Sequence, residues 1–431
     1  MDWSSRLRIG RGGAGLTDGS SPAADGAPAG RPTLARGGSA VATVAQWVEV
    51  HRLAAAGQEP AIARHVGDLV ARVWLPRSRF ADVARLANAT LTLGPDAGAF
   101  YDLGWTQSST GQPREALASY ERALHLYREA GDRGNEAATL TNIGLVHHSL
   151  GDARQALAFY GQALPIQREV GDRGGEANTL NNIGGVYNSL GDGEQALAYY
   201  GQALPIRREV GDRAGEAATL NNMGGVYDSL GDGEQALAFY GQALSIRREV
   251  GDRAGEATTL NNIGGVYDSL GDGEQALALY GQALSIRREV GDRAGEATTL
   301  SNIGAVYGSL GDDEQALAHY SEALPLRREV GDRAGEAITL NNIGAIRFRQ
   351  GDLAGAKDIL DEVLEGFRVV GDRRSEATAS ANMAVLLERM ARVDQAIEFQ
   401  RLAVTLAEQT SDPDLGEYRA FLSWLEESKG S

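Results

Sequence analysis

The chain has 431 residues with 41 basic and 58 acidic side chains, and its net charge of −17 disfavours a nucleic-acid partner because phosphates need a positive surface. It contains no cysteine, which excludes disulfides and zinc–thiolate sites. No run of 18 apolar residues occurs, and Met1–Gly38 lacks the apolar stretch of a signal peptide, so no membrane partner and a cytoplasmic location are expected.

Residues 1–40 are rich in glycine, alanine, serine and proline, with scattered arginines. Such a stretch cannot bury enough apolar surface to offset its ordering entropy, so it is predicted to be disordered. Gly10–Gly15 matches the dinucleotide-binding pattern formally, but Thr17–Pro22 forbids the helix that such a site needs. The match therefore predicts no cofactor.

Residues 41–96 are predicted to form an N-terminal helical region. Val41–Ala56 has the pattern of one helix, and residues 63–93 resemble a degenerate copy of the repeat that follows. At the far end, residues 411–431 carry an apolar stripe typical of a capping helix.

A 40-residue repeat dominates the rest of the chain, where Gly-Asp-Arg returns seven times between Gly131 and Gly371. Within the copy that starts at Gly251, apolar residues recur at helical spacing in two runs. Gly271 suits the left-handed residue that ends one helix, and Asp272 suits the cap that begins the next. Each repeat is therefore predicted to be two antiparallel helices joined by a short turn.

The residues Leu260, Gly264, Tyr267, Ala276 and Tyr280 stand at the spacings of the tetratricopeptide repeat (TPR), which this chain resembles. The period of 40 is similar to that of kinesin light chains and bacterial signalling arrays. The resemblance implies an all-α fold, a right-handed α-solenoid of stacked TPR helix hairpins. It places eight repeats within residues 97–410, with helix pairs at about 97–130, 137–170, 177–210, 217–250, 257–290, 297–330, 337–370 and 377–410.

The sequence offers no catalytic or metal-binding constellation. Its six histidines form no metal-ligand motif, and no Gly-Lys-Ser/Thr of a nucleotide-binding loop occurs. We therefore expect no enzymatic activity, no cofactor and no metal.

One asparagine stands at the same first-helix position in seven repeats. In TPR proteins that bind extended peptides, asparagine here grips the ligand backbone, so the resemblance implies a peptide ladder. An alternative is that these side chains bond a neighbouring turn and were copied by duplication; both interpretations stay open. The column comprises Asn142, Asn182, Asn222, Asn262, Asn302, Asn342 and Asn382.

Charges near this column indicate the character of the ligand. Asp228 and Asp268 favour a neutral or basic peptide, whereas Arg349 reverses the sign toward the C-terminal end. The repeated Arg247–Arg248 pairs are predicted to form surface ion pairs with Asp252 and Glu256.

Three functions compete on these observations. The first is a non-catalytic scaffold that binds a protein or peptide segment in the concave groove. The second is a sensor array of a bacterial STAND-type signalling or transcriptional system, acting with a separate nucleotide-binding switch protein. The third is an enzyme within residues 1–96, although no sequence motif there supports it. The partner's identity and the oligomeric state are not defined by the sequence.

Overall fold

A computed structural model describes residues 43–410 and 412–430. The segment predicted to be disordered, residues 1–40, lies outside the described residues. The described residues divide into two units, residues 43–246 and residues 247–430, and each unit is taken by itself below.

The unit of residues 43–246 is a succession of α-helices with one short 3-10 turn at Leu75–Arg77. Its helices are α1 (Val44–Ala56), α2 (Pro60–Trp74), α3 (Phe80–Leu91), α4 (Ala97–Ser109), α5 (Pro113–Ala130), α6 (Arg133–Ser149), α7 (Ala153–Val170), α8 (Arg173–Ser189), α9 (Gly193–Val210), α10 (Arg213–Ser229) and most of α11 (Gly233–Val250).

The unit of residues 247–430 continues the pattern and ends in a single helix. Its helices are the end of α11, then α12 (Arg253–Ser269), α13 (Gly273–Val290), α14 (Arg293–Ser309), α15 (Asp313–Val330), α16 (Arg333–Arg349), α17 (Leu353–Val370), α18 (Arg373–Arg389), α19 (Val393–Thr410) and α20 (Leu415–Gly430). The described residues contain no strand, and the predicted all-α solenoid of TPR hairpins is confirmed. The domain boundaries proposed from the sequence stay predictions.

The hairpin junctions follow from local chemistry. Gly211 has a φ of 72°, in the left-handed region that glycine occupies without steric cost, and it ends α9. Asp212 then accepts the backbone N–H of Gly215 at 2.9 Å and begins α10. The same Gly-Asp pair ends and begins helices along the chain, which explains why the repeat length is constant.

The two helices of a hairpin pack through a glycine and a tyrosine. A Cβ added at Gly224 in α10 would lie 2.7 Å from the ring of Tyr240 in α11, which is 2% exposed. The absence of a side chain at Gly224 therefore allows the ring to lie flat against the first helix. The same contact recurs in the hairpins whose first helices contain Gly104, Gly144, Gly184, Gly264 and Gly304.

The predicted surface ion pairs are correct in partner but wrong in burial. Glu256 is 6% exposed and accepts hydrogen bonds from Arg248 (2.8 Å) and Arg253 (2.5 Å). Arg247 is 5% exposed and donates to the carbonyl of Gly255. These contacts tie the end of one hairpin to the beginning of the next: Glu256 and Arg247 are buried in the junction, while Arg248 and Arg253 stay about half-exposed.

Candidate peptide-binding site

The asparagine column lies on the first helices, and its members differ in exposure. Asn142, Asn182, Asn222, Asn262 and Asn302 are half-buried. Asn342 and Asn382 are only 2% and 3% exposed. A ligand cannot reach these last two without repacking the helices around them, so the accessible part of the column ends at Asn302.

Several of these amides bond to the preceding repeat. Nδ2 of Asn222 donates to Oδ1 of Asn181 at 3.3 Å, and Nδ2 of Asn142 donates to the hydroxyl of Tyr101 at 2.9 Å. In the unit of residues 247–430, Asn302 donates to Asn261 at 3.2 Å. The acceptor stands 41 residues earlier in each case, so these asparagines also join adjacent repeats.

The two buried asparagines are bonded as well. Asn382 donates to Asn341 at 3.0 Å, and Asn342 donates to the hydroxyl of Tyr320 at 3.3 Å. The alternative of a structural role therefore describes this end of the column well.

Asn182 is the exception, because its side chain forms no hydrogen bond with the described residues. The residue 41 positions earlier is Thr141, whose hydroxyl is already engaged with the carbonyl of Ala137, the hydroxyl of Thr179 and the amide of Gln167. Asn182 thus keeps the full bonding capacity of its amide in a half-buried place.

Two more half-buried polar residues, Asn188 and His148, lie near Gly185 of α8. Gly185 stands three residues after Asn182 and three before Asn188, so it adjoins both, while Asn182 and Asn188 are about 120° apart around the helix. His148 on α6 adjoins Gly185, because its Cε1 lies 3.8 Å from the position of a Cβ at that glycine. Burial lowers the pKa of His148, so the imidazole is neutral near pH 7.

His148 forms no metal-ligand motif, so such a motif does not single it out in the sequence. The sequence signal that could have identified His148 as a site residue is its position in the repeat, since His148, Asn188 and Asp228 stand 40 residues apart.

Asp228 occupies the equivalent position on α10. Its carboxylate is half-buried and forms no ion pair or side-chain hydrogen bond with the described residues. Burial raises the pKa of Asp228 above its ordinary value of 3.8, because nothing nearby compensates the lost hydration. A desolvated acid without a partner is typical of a binding surface.

The remaining predicted site residues lie in the unit of residues 247–430. Asp268 is half-buried at the position equivalent to Asp228. Arg349 is exposed and forms an ion pair with Asp313. Its charge is already engaged within the protein, so the predicted reversal of sign is weaker than the sequence indicates.

The arrangement supports recognition more than chemistry. Across the described part of the chain, no group of three His, Asp or Glu side chains is placed to hold a metal ion. Within the same residues, none of the helices has the length and hydropathy that crossing a bilayer requires. What remains is a run of polar side chains with unused bonding capacity: His148, Asn182, Asn188 and Asp228, which we call the polar face.

Stacked helix hairpins with such a face define the class of helical-repeat interaction scaffolds. The family model of the tetratricopeptide repeat matches residues 101–169, 175–249, 255–329 and 335–409. The chain therefore belongs to the tetratricopeptide repeat family.

Solved structures with a similar fold include three regulatory proteins. The quorum sensor NprR from B. thuringiensis is 16% identical, with a TM-score of 0.56, and the match covers 84% of this chain and 97% of that one. A STAND protein with a TPR sensor from Pyrococcus horikoshii is 15% identical, with a TM-score of 0.55 over 91% and 67% of the two chains. Aspartyl phosphate phosphatase F from Bacillus subtilis is 13% identical, with a TM-score of 0.53 over 86% and 96%.

No curated protein matches the chain. At these identities the solved structures show the fold alone. A TPR scaffold is consistent with protein–protein interaction, and this fold is generally non-catalytic.

Proposed function

We propose that this protein is a non-catalytic scaffold that binds an extended peptide segment of neutral or basic character along its first helices. The observation that carries the proposal is the polar face, where a free amide at Asn182 and an unpaired carboxylate at Asp228 lie half-buried. Half-buried polar groups without partners cost free energy, and a ligand that satisfies them recovers it.

The amides suit a peptide backbone. A peptide unit offers one donor and one acceptor, and the asparagine side chain offers the complementary pair. Asn142 hydrogen-bonds the hydroxyls of both Tyr101 and Tyr120, whereas Asn222 spends one N–H on the preceding repeat and keeps a carbonyl oxygen and a second N–H. The bond to the neighbouring repeat fixes the amide before a ligand arrives, so less entropy is lost on binding.

The charge of the polar face selects the side chains of the ligand. Asp228 is the only ionised group of the four at neutral pH, because the imidazole of His148 is uncharged and the amides are neutral. An arginine or lysine opposite Asp228 supplies the missing counter-charge. This preference is part of the proposal. Asn262, Asn302 and Asp268 are proposed as peptide contacts of the unit of residues 247–430, considered by itself.

A sensor array in a STAND-type system is the second candidate. It is favoured by the fold shared with the TPR-bearing STAND protein, which covers 91% of this chain. In that function the nucleotide-binding switch belongs to a separate protein, and the polar face binds the signal or the switch protein.

The test is a selection from a displayed library of random linear peptides, followed by calorimetry on synthetic peptides. We expect Asn182→Ala to raise the Kd by up to about tenfold, the value of one hydrogen bond. Asp228→Asn should remove the preference for arginine and lysine. The control is Gln202→Ala on α9, an exposed residue that bonds only within its own helix.

Unchanged affinity in both Asn182→Ala and Asp228→Asn would place the peptide elsewhere and overturn the proposed site. Failure to select any peptide would count against linear-segment binding itself.

A further inference from the structure

A row of exposed leucines marks the edge where each first helix turns into its second helix. In the unit of residues 247–430, Leu270 and Leu310 follow α12 and α14 and are 62% and 60% exposed. Leu150, Leu190 and Leu230 hold the same place in the unit of residues 43–246. Single exposed apolar residues are ordinary, but here the exposure recurs at one register in successive hairpins.

Unpaired acids accompany these leucines. Asp272, Glu274, Asp312 and Glu314 lie in the turns directly after Leu270 and Leu310, and all four are exposed. Among the described residues none of the four forms an ion pair. Asp272 and Asp312 accept the backbone N–H groups of Gln275 and Gln315 at the starts of α13 and α15, but no basic side chain of the described residues pairs with them. We call these two leucines and four acids the leucine edge.

The opposite edge of the same hairpins is neutralised. There Glu256 is held between Arg248 and Arg253, and Arg253 also reaches Glu289 at 2.7 Å. Val250 and Val290 are exposed at this opposite edge too, at 44% and 42%, so the two edges differ in the pairing of their acidic side chains.

The leucine edge ends at the next repeat. Gln350 replaces the leucine, Arg347 pairs with Asp352 at 2.8 Å, and Arg349 pairs with Asp313. The edge of residues 350–355 thus lacks the exposed leucine, since Leu353 packs against the core, and its one acid, Asp352, is paired. It supplies an internal control on the same scaffold.

We propose that the leucine edge binds the segment Trp3–Arg11 of this chain. The segment combines three apolar residues, Trp3, Leu7 and Ile9, with three arginines at 6, 8 and 11, and it contains no acidic residue. Its composition complements both features of the edge, since leucines meet apolar side chains and unpaired carboxylates meet arginines. This surface is separate from the polar face.

The segment is joined to the described part of the chain by a long connection. Residues 12–42 separate the segment from the first described residue, Thr43, and they span up to roughly 100 Å when extended. An 18-residue second helix is about 27 Å long, so the connection exceeds several helix lengths.

Chemical crosslinking of the full chain tests the proposal cleanly because the protein has no cysteine. Ser5→Cys is combined with Gln275→Cys beside the leucine edge, with Ala354→Cys at the control edge, or with Ala254→Cys at the opposite edge; the three partner sites are exposed. A short bismaleimide is added at low protein concentration, and crosslinked peptides are quantified by mass spectrometry.

We expect the pair at residues 5 and 275 to crosslink several-fold more than the other two pairs. Reversal of the charges at Arg6, Arg8 and Arg11 to glutamate should remove the excess, and so should Leu270→Ser with Leu310→Ser. Equal yields in the three pairs, or an excess that survives both sets of substitutions, would overturn the proposal. A crosslink found only between two molecules would assign the edge to a second copy and also overturn it.

Discussion

The hairpins of residues 213–250 and 373–410 share one register but fill it differently. In the first, Gly224 lies against the ring of Tyr240 and Gly225 follows it. In the second, Ala384 replaces the glycine and the tyrosine position holds Gln400, which is fully buried and donates to the carbonyl of Tyr418 at 2.9 Å.

The difference reflects what covers each first helix. Leu386 and Leu387 of the later hairpin are buried in one apolar cluster with Phe421 and Leu425 of α20. The equivalent positions Asp228 and Glu388 are both half-buried acids, so the difference lies in the apolar residues before them: Val226 and Tyr227 stand where the later hairpin has Leu386 and Leu387. A first helix that packs on a helix of its own chain is apolar, and one that keeps unsatisfied polar groups is suited to a ligand.

The largest expected effect comes from a matched pair of glycine substitutions. Gly224→Ala places a Cβ 2.7 Å from the ring of Tyr240, so the ring must move, at a cost of about 1–3 kcal/mol. Gly344→Ala meets Ile359 and Leu360 only at 3.4 and 3.7 Å, so it should stabilise the helix by about 0.5–1 kcal/mol. Denaturant unfolding followed by circular dichroism measures both.

The two substitutions are chemically the same, so helix propensity cancels between them. Similar shifts of the unfolding midpoint in both variants would refute the distinction between tyrosine-packed and aliphatic-packed repeats.

The 40-residue period was sufficient to predict the hairpins, because the Gly-Asp helix ends and the apolar spacing are set by interactions within a few residues of the chain. The period was not sufficient to predict which side chains are buried at the junctions between hairpins. Arg247 looks like a surface residue, yet it is buried because Gly255 leaves room: a Cβ there would lie 2.6 Å from its Nη1. The space beside Gly255 exists only because the end of α11 packs against the start of α12, which the sequence period does not show.

The asparagine column shows the same limit. Its register was predictable, but its division into bonded, free and buried members depends on the residue 41 positions earlier and on α20. The hydroxyl of Thr141 is already bonded to other groups and does not bond Asn182, whereas Oδ1 of Asn181 accepts a hydrogen bond from Asn222. A repeat pattern treats these positions as equivalent, although their surroundings are different.

The next effect concerns the buried glutamates of the junctions. Burial raises the pKa of Glu256, but hydrogen bonds from Arg248 and Arg253 outweigh it and hold the pKa below its ordinary 4.5. A lowered folded pKa contributes stability above pH 4.5 that is lost as the pH falls through the folded value. Glu136, Glu216 and Glu296 shift in the same direction.

We therefore expect the melting temperature to fall between pH 5 and pH 3, and Glu256→Gln to reduce that fall. At pH 7 the substitution should cost about 1 kcal/mol, since the arginines are half-exposed and screened. Thermal melts at each pH measure both effects. A pH dependence identical to that of the parent protein would show that Glu256 does not contribute.

The smallest effect separates the two kinds of asparagine. Asn222→Ala loses the bond to Asn181, worth about 0.5–1.5 kcal/mol, and regains roughly half a kcal/mol of helix propensity. Asn182→Ala loses no internal bond and regains the same propensity, so it should be neutral or slightly stabilising. Unfolding midpoints should therefore rank Asn182→Ala above Asn222→Ala. The reverse order would mean that Asn182 is bonded inside the fold, and its free amide could then no longer support a peptide site.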